Sequence, residues 1–464
     1  MKSLRSLVVL ILVVAGGAIL SHHLIEKNLL LFMIALLFGT LIYLFFYDKP
    51  INALSFYILL LPFAGTYLFN CKLLPVPGGK VIILLFFFML LVCLLNIKKF
   101  NRLHPKVISF IVFIFFVEIV CHLRGLENLK SLSFFFGEPL EPLNFILSYL
   151  LKPFTFFFPF VMILLFCKND EELRVLNKYL KLSVTIFAFS IFFYYLFFVG
   201  NKSSIDDVRY ELSVFVGVHS NEFTRILTMT VLFFFVDLLH NPKSIKIIVP
   251  FIMLISVVMI SYSRTAYLII VLEIFLFLLL SGRKKYLPFL FFIFIFIALL
   301  VPTTIKERVS YGVNNDDISA GRVQNIWMPL INEYVNDPRK LFLGAGIGGI
   351  VLTQSFKRNL MLDVGHAHNM FLTFIVDNGI ILLIVLLYLY YSIIKLIWID
   401  TKNANVSLSK DYNISIIVII VCYFVSGMTD QSLLPTYPNY ILWVIMGIAL
   451  INSNIAKDNN KIRY

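Results

Sequence analysis

Two groups of residues in this 464-residue chain have the chemistry to act on an anionic, hydroxyl-bearing substrate. The first is His366 and His368, set two apart in Gly365-His366-Ala367-His368-Asn369. An imidazole can be neutral near physiological pH and accept the proton of a hydroxyl, which is what a general base does. An extended segment with this spacing could also turn both rings toward a metal. Asp363 is the only carboxylate close by and no third ligand is evident, so the metal reading is the weaker one. A blander alternative is a histidine that caps the helix after it. The second group is Arg264 and Arg322, with Arg209 and Arg225 behind them. A guanidinium is always charged and offers paired donors to phosphate oxygens. Arg264 lies in Ser261-Tyr262-Ser263-Arg264-Thr265, a short turn between two apolar runs, and so stands at a membrane boundary. A charge there is costly unless an anion pairs with it, and a lipid phosphate or diphosphate is the anion at hand. Snorkelling to bulk headgroups would explain one arginine. Several of them beside a histidine-bearing loop favour a specific site.

Other ionisable residues are less telling. Lys152, Glu118, Asp237 and Glu273 lie in or near apolar runs, where charge is expensive. Lys152 precedes Pro153 in a span expected to kink and suits an anionic lipid head. Asp237 reads as interfacial. The pairs Asp206-Asp207 and Asp316-Asp317 read as solvated loop charge rather than a cation site. Gly344, Gly346, Gly348 and Gly349 resemble a phosphate-binding loop only superficially, since no strand precedes them; a tight backbone turn accounts for them better.

The elements that must hold these groups follow from composition. The chain is 60% hydrophobic and 14% charged, with a mean hydropathy of +0.92. A soluble domain carries about 25% charged residues, so lipid must be the solvent. Forty-nine Phe and 22 Tyr suit lipid-facing and interfacial positions. The net charge of +13 does not point to nucleic acid, because the basic residues fall in short clusters between apolar runs, as topology-setting charges do. Cys71, Cys93, Cys121, Cys167 and Cys422 are scattered and odd in number, which argues against a disulfide framework or a zinc site. Met1–Leu20 reads as a first span rather than a cleaved signal, for want of a clear cleavage site.

Spans of about 20 apolar residues are expected near 6–21, 29–47, 51–68, 80–96, 106–122, 143–167, 181–199, 225–239, 245–262, 265–281, 286–301, 370–398, 413–429 and 438–453. The fold class is thus an all-α polytopic membrane protein with about 12–14 transmembrane helices and one large loop. Residues 1–301 form the first set of helices, 302–368 the loop and 369–464 the last helices. Alternate connections carry Lys and Arg, which predicts cytoplasmic termini and places the large loop, the active site and the turn at Arg264 on the opposite side. Within the loop, Val323–Val335 reads as a helix capped by Ser319, kinked at Pro329 and ended by Asn336-Asp337-Pro338. After Asn369 a helix resumes and breaks at Asp377-Asn378-Gly379.

Several of these pieces, in this order, resemble the bacterial O-antigen ligase/O-antigen polymerase superfamily. They are Ser263-Arg264-Thr265-Ala266, Gly321-Arg322 with Trp327, Leu343-Gly344-Ala345-Gly346, His366-Ala367-His368-Asn369 and Asp377-Asn378-Gly379-Ile380. Gly217 and Asn221 look like its Gly-x-x-x-Asn feature, so the resemblance spans about 209–390. It implies a fold of about a dozen transmembrane helices with a large periplasmic loop, in a bacterial inner membrane. It implies transfer of a glycan from undecaprenyl diphosphate to an acceptor sugar, with neither metal nor other cofactor. Arg264 and Arg322 would grip the donor diphosphate. His368 or His366 would act on the acceptor hydroxyl, and His368 is favoured because it directly precedes Asn369. Arg209, Asn221, Lys152 and Asn369 would support the site. The acceptor is lipid A–core in a ligase and a second lipid-linked glycan in a polymerase. A protein-glycosylating relative is a third option. A transporter or flippase, the further alternative, predicts inverted repeats and charges spread along many spans; the few intramembrane charges and the single large outer loop favour an enzyme.

Overall fold

A computed structural model gives the fold. It describes residues 49–70, 80–96, 100–136, 140–200, 202, 204–288, 321–362, 365–403, 407–428 and 432–461. The expected spans at 6–21 and 29–47, nearly all of 286–301, and the loop residues Asp316, Asp317, Ser319 and Asp363 lie outside these. In chain order the helices include α1 (Pro50–Leu60), α2 (Val81–Leu95), α3 (Pro105–Glu127), α4 (Lys152–Phe166), α5 (Asp170–Tyr194), α6 (Ile205–Val216), α7 (Ser220–His240), α8 (Ile245–Ile260) and α9 (Arg264–Leu280). They continue with α10 (Met328–Val335), α11 (Pro338–Leu343), α12 (Gln354–Lys357), α13 (Met370–Asn378), α14 (Ile380–Asn403), α15 (Ser407–Ser426) and α16 (Tyr440–Lys461).

Six helical stretches among the described residues are long and apolar enough to cross a membrane: Pro105–Glu127, Pro142–Phe166, Asp170–Val199, Ser220–His240, Ile380–Lys402 and Ser407–Ser426. Shorter apolar helices cover Pro50–Phe63, Val81–Leu95, Ile245–Ile260 and Tyr437–Ile451. The chain is an all-α polytopic membrane protein.

Local sequence sets the helix ends. His104 caps α3, its ring accepting the Lys106 N–H, and Pro105 takes the first helical position, where no N–H is needed. Asn169 caps α5 by accepting the Glu172 N–H at 2.9 Å, and Asp170, Glu171 and Glu172 complement the positive helix start. Two expectations need correction. The stretch 323–335 is not one helix kinked at Pro329. Val323–Trp327 winds as a wider π turn, and the α-helix proper begins at Met328. Pro329 then lies in a first turn, where its missing N–H costs nothing. The same arrangement precedes Pro153, with a π turn over Ile146–Leu151 running into α4. The expected span at 370–398 is two helices, separated at Gly379, whose φ is +86°.

The membrane core is aromatic. Trp443 of α16 is fully buried, with ring centroids of Phe157 at 4.9 Å, Phe110 at 6.0 Å and Tyr390 at 6.2 Å from α4, α3 and α14. Its indole N–H donates to Asn439 Oδ1 at 3.0 Å. The Asn439 amide donates to the carbonyls of Ser432 and Leu434, so the buried polar atoms are paired.

The two ends of this bundle differ. At one end Lys181 donates to Asp237 at 2.5 Å, and Tyr412 donates to the other carboxylate oxygen. Nearby on the same helices, Asp411 takes two hydrogen bonds from Arg283, at 2.8 and 2.6 Å, and meets His240 Nε2 at 2.8 Å. At the other end the starts of α7 and α9 and the finish of α15 converge.

Candidate functional site

That second end encloses a small pocket lined by Asn221, Arg225, Thr228, Ser263, Thr265 and Ser426 together with Ala266 and Ile269. Arg264 opens α9 between two of these residues and is half-buried. It has no hydrogen-bond or ion-pair partner among the described residues. The turn that delivers it is tight: Tyr262 has a φ of +52°, uncommon for a residue with a side chain. Arg209 reaches in from α6, its Nε donating to Ser220 Oγ at 3.0 Å and its Nη2 to Asn221 Oδ1 at 3.2 Å. Gly217, at φ +77°, ends α6; a Cβ there would lie 1.7 Å from the Gly65 carbonyl oxygen. Only glycine permits this approach, which brings the end of α6 against the chain beyond α1.

The histidines stand at the same end. Asn369 caps α13, its Oδ1 accepting the N–H groups of Phe371 at 3.0 Å and Leu372 at 3.1 Å. The Met370 N–H donates to the Gly427 carbonyl at 2.8 Å, one residue past the pocket's Ser426. Met370 packs over Gly427, where a Cβ would meet its sulfur at 2.0 Å and make the side chain shift. His368 therefore stands two residues from a contact with the pocket rim. Its φ is +50°, a conformation costing on the order of 1 kcal/mol. The rings of His366 and His368 meet edge to face, with centroids 4.1 Å apart. His366 Nδ1 accepts the His368 backbone N–H at 3.3 Å, so a neutral His366 carries its proton on Nε2. Between them Ala367 is fully buried, its carbonyl accepting from Trp327 Nε1 at 2.8 Å and its N–H donating to Thr373 Oγ1 at 3.2 Å. Arg322, half-buried, begins the π turn that ends at Trp327.

The loop that carries Arg322 and the histidines has its own small core of Ile326, Leu330, Tyr334, Ile350, Met361 and Ala367 with residues of α13. Glu333 ties it together. It accepts from the N–H groups of Gln354 and Ser355, both at 3.0 Å, from Ser355 Oγ at 3.1 Å and from Lys340 at 3.1 Å. Burial raises its pKa, but these hydrogen bonds and Lys340 outweigh it and hold the carboxyl below its ordinary value. The glycine bend docks on the end of α3. Arg124 donates to the carbonyls of Leu343 and Gly344, Asn128 donates to that of Ala345 at 2.9 Å, and Ile347 N–H donates to Cys121 at 3.2 Å. Gly344 and Gly346 have φ of +69° and +87°, and their neighbours leave no room for a Cβ. Asp377 accepts the Gly349 N–H at 3.1 Å; burial pushes its carboxyl up to about 7, against the pull of that hydrogen bond.

Residues 249–387 match the family model for the O-antigen ligase. This stretch, under a third of the chain, is similar to the O-antigen ligase family. No curated protein matches the chain. The matched region contains Arg264, Arg322, His366, His368 and Asn369, and it takes in α9, the loop and the start of α14. Arg209, Gly217 and Asn221 lie upstream of it, joined through the pocket.

Of the residues expected at the site, Asn221 lines the pocket, Arg209 bonds to Asn221, Arg264 lies in sequence between the lining residues Ser263 and Thr265, and His368 is tied to the same end through Met370 and Gly427. Arg322 joins through Trp327 and Ala367. Asn369, rather than a histidine, is the helix cap. Lys152 stands at the π-to-α junction of its span, within electrostatic reach of Lys80 and Glu222 rather than in the pocket lining. Among the described residues no cluster of His, Cys, Asp or Glu has metal-binding geometry. Arg225, buried against the pocket, was noticed only as one of several arginines. Its signal is the spacing Asn221-x-x-x-Arg225, which puts both side chains on one helical face.

Proposed function

We propose that the protein is a membrane glycosyltransferase of the ligase type, which moves a glycan from undecaprenyl diphosphate to a sugar hydroxyl of lipid A–core. The observation that carries this is the shared rim: Arg264 opens α9 beside the pocket, and His368 stands two residues from the Met370–Gly427 bond at the pocket's edge. A cation with no partner among the described residues, at the same end of the bundle as an imidazole, suits a substrate that is a diphosphate at one bond and faces a hydroxyl at the other. Arg264 and Arg322 hold the diphosphate oxygens. His368 accepts the acceptor's proton as its oxygen bonds to the anomeric carbon. The bond from that carbon to the diphosphate breaks, and the arginines stabilise the charge that leaves with it. The energy resides in the sugar–diphosphate bond, so no nucleotide is consumed. One displacement inverts the anomeric centre; a product with retained configuration would rule that step out. Arg209 and Asn221 brace the rim, and Lys152 contacts an anionic lipid head. The site faces away from the cytoplasm in a bacterial inner membrane, and both termini are cytoplasmic.

The test is reconstitution in lipid vesicles with a lipid-linked glycan and either core lipid or a second lipid-linked unit. Glycan on core lipid establishes the ligase. Longer chains that remain on the diphosphate lipid establish polymerase activity instead, and no transfer to either acceptor refutes the reading.

A further inference from the structure

The loop helix α10 has two apolar faces, and the loop's own core accounts for one. Leu330 and Tyr334 face inward with Ile326, and Glu333 points toward the start of α12. On the flanking side, about 100° round the helix, Met328, Ile331 and Val335 are exposed, at 47%, 40% and 60%. Their spacing of three and four residues aligns them in one stripe. The stripe does not stop at the helix end. Phe342 and Leu343 of α11 are exposed as well. The Phe342 carbonyl presses on Gly379, where a Cβ would lie 2.2 Å from its oxygen. Just beyond Gly379, α14 turns Ile381 and Ile384 outward, Ile384 at 62% exposure. Because α14 is a membrane span, that outward face meets lipid. Exposed apolar residues therefore recur from a lipid-facing span, over α11, onto α10. Exposed Arg339, in the first turn of α11, is placed to reach lipid phosphates from the border of this surface.

We infer that α10 and α11 lie in the membrane leaflet on the site's own side, with Met328, Ile331 and Val335 immersed among lipids. A helix with one apolar face and cations at its border seats itself about 5–10 Å into the headgroup boundary. The loop then gains a fixed height. Trp327, immediately before Met328, holds the Ala367 carbonyl, so the immersed helix sets how far His366 and His368 stand above the bilayer. This inference does not depend on the reaction proposed above, and glycan transfer plays no part in its test.

Met328→Cys, Ile331→Cys and Val335→Cys are made singly in the full chain with Cys71→Ser; the other four native cysteines are buried. Each is labelled with an environment-sensitive fluorophore and reconstituted in vesicles holding lipids with a nitroxide near the top of the acyl chain. Lys357→Cys, exposed on α12 behind Glu333, is the reference. Quenching by the lipid nitroxide is expected at all three stripe positions and to be absent at Lys357→Cys. Equal quenching at all four sites overturns the inference. Protection from the lipid quencher together with crosslinking between copies through Ile331→Cys also overturns it, and assigns the face to a second copy of the chain.

Discussion

At the scale of single residues, His368 is under two demands. It is proposed to take a proton, and its backbone occupies the left-handed region at φ +50°. Asparagine tolerates that region almost as glycine does, so His368→Asn separates the two. We expect the variant to fold and insert normally while transfer falls by about 100- to 10,000-fold, the usual worth of a positioned general base. Initial rates on reconstituted protein would show it, and an active variant would remove His368 from the chemistry. His366→Ala should lose less, because His366 contributes a hydrogen bond to the His368 N–H rather than the proton transfer itself. Arg264→Lys keeps the charge at the start of α9 but loses the paired donors. Transfer should drop by about 100-fold, as when a preorganised donor to a developing anion is removed. A lysine that served equally well would mean that Arg264 only anchors its helix to headgroups.

At the scale of elements, the loop depends on a few polar ties. Glu333 joins α10 to α11 through Lys340 and to α12 through the Gln354 and Ser355 N–H groups. Its carboxyl is held below its ordinary value, so its contribution is present at neutral pH and is lost as pH falls through that lowered value. Glu333→Gln should destabilise the loop by ~1–3 kcal/mol, seen as faster amide exchange over 349–362 with the spans unchanged. Asp377 has the opposite sign. Its carboxyl is raised from 3.8 to about 7, so the folded state favours the protonated form. The stabilisation is complete below the unfolded value and is lost as pH rises through about 7. Asp377→Asn keeps an acceptor for the Gly349 N–H and should flatten the thermal stability between pH 5 and 8. A pH dependence that survives the substitution would assign it to another group.

At the scale of the whole molecule, the end away from the site is clamped by charge. Asp411 at the start of α15 binds Arg283, which follows α9, and His240, which ends α7. These are the three helices whose opposite ends form the pocket. Asp411→Ala leaves Arg283 without its carboxylate and should cost on the order of 3 kcal/mol in thermal unfolding of the purified protein. Since the helices are continuous from clamp to rim, the loss should also weaken substrate transfer with His368 and Arg264 intact. Unchanged stability would mean that solvent already screens the pair.

Much was legible from residue types alone. Hydrocarbon cannot satisfy stray backbone polar groups, so long apolar runs had to be helices, and a chain this rich in them had to be a polytopic membrane protein. The same solvent makes every charge at a boundary conspicuous, which singled out Arg264, and it left one polar loop to hold the histidines. Period and composition could not show which residues at the starts of distant helices share a rim. That was decided by packing: Gly217 against Gly65, Gly427 under Met370, and the glycine bend on the end of α3. Nor could they foresee that the π turns before Pro153 and Pro329 would place each proline in a first turn. That depends on how many residues the chain needs to reach its next contact. The pocket lined by Arg225 exists only because α7, α9 and α15 converge, and their convergence is a property of the bundle rather than of any one stretch of sequence.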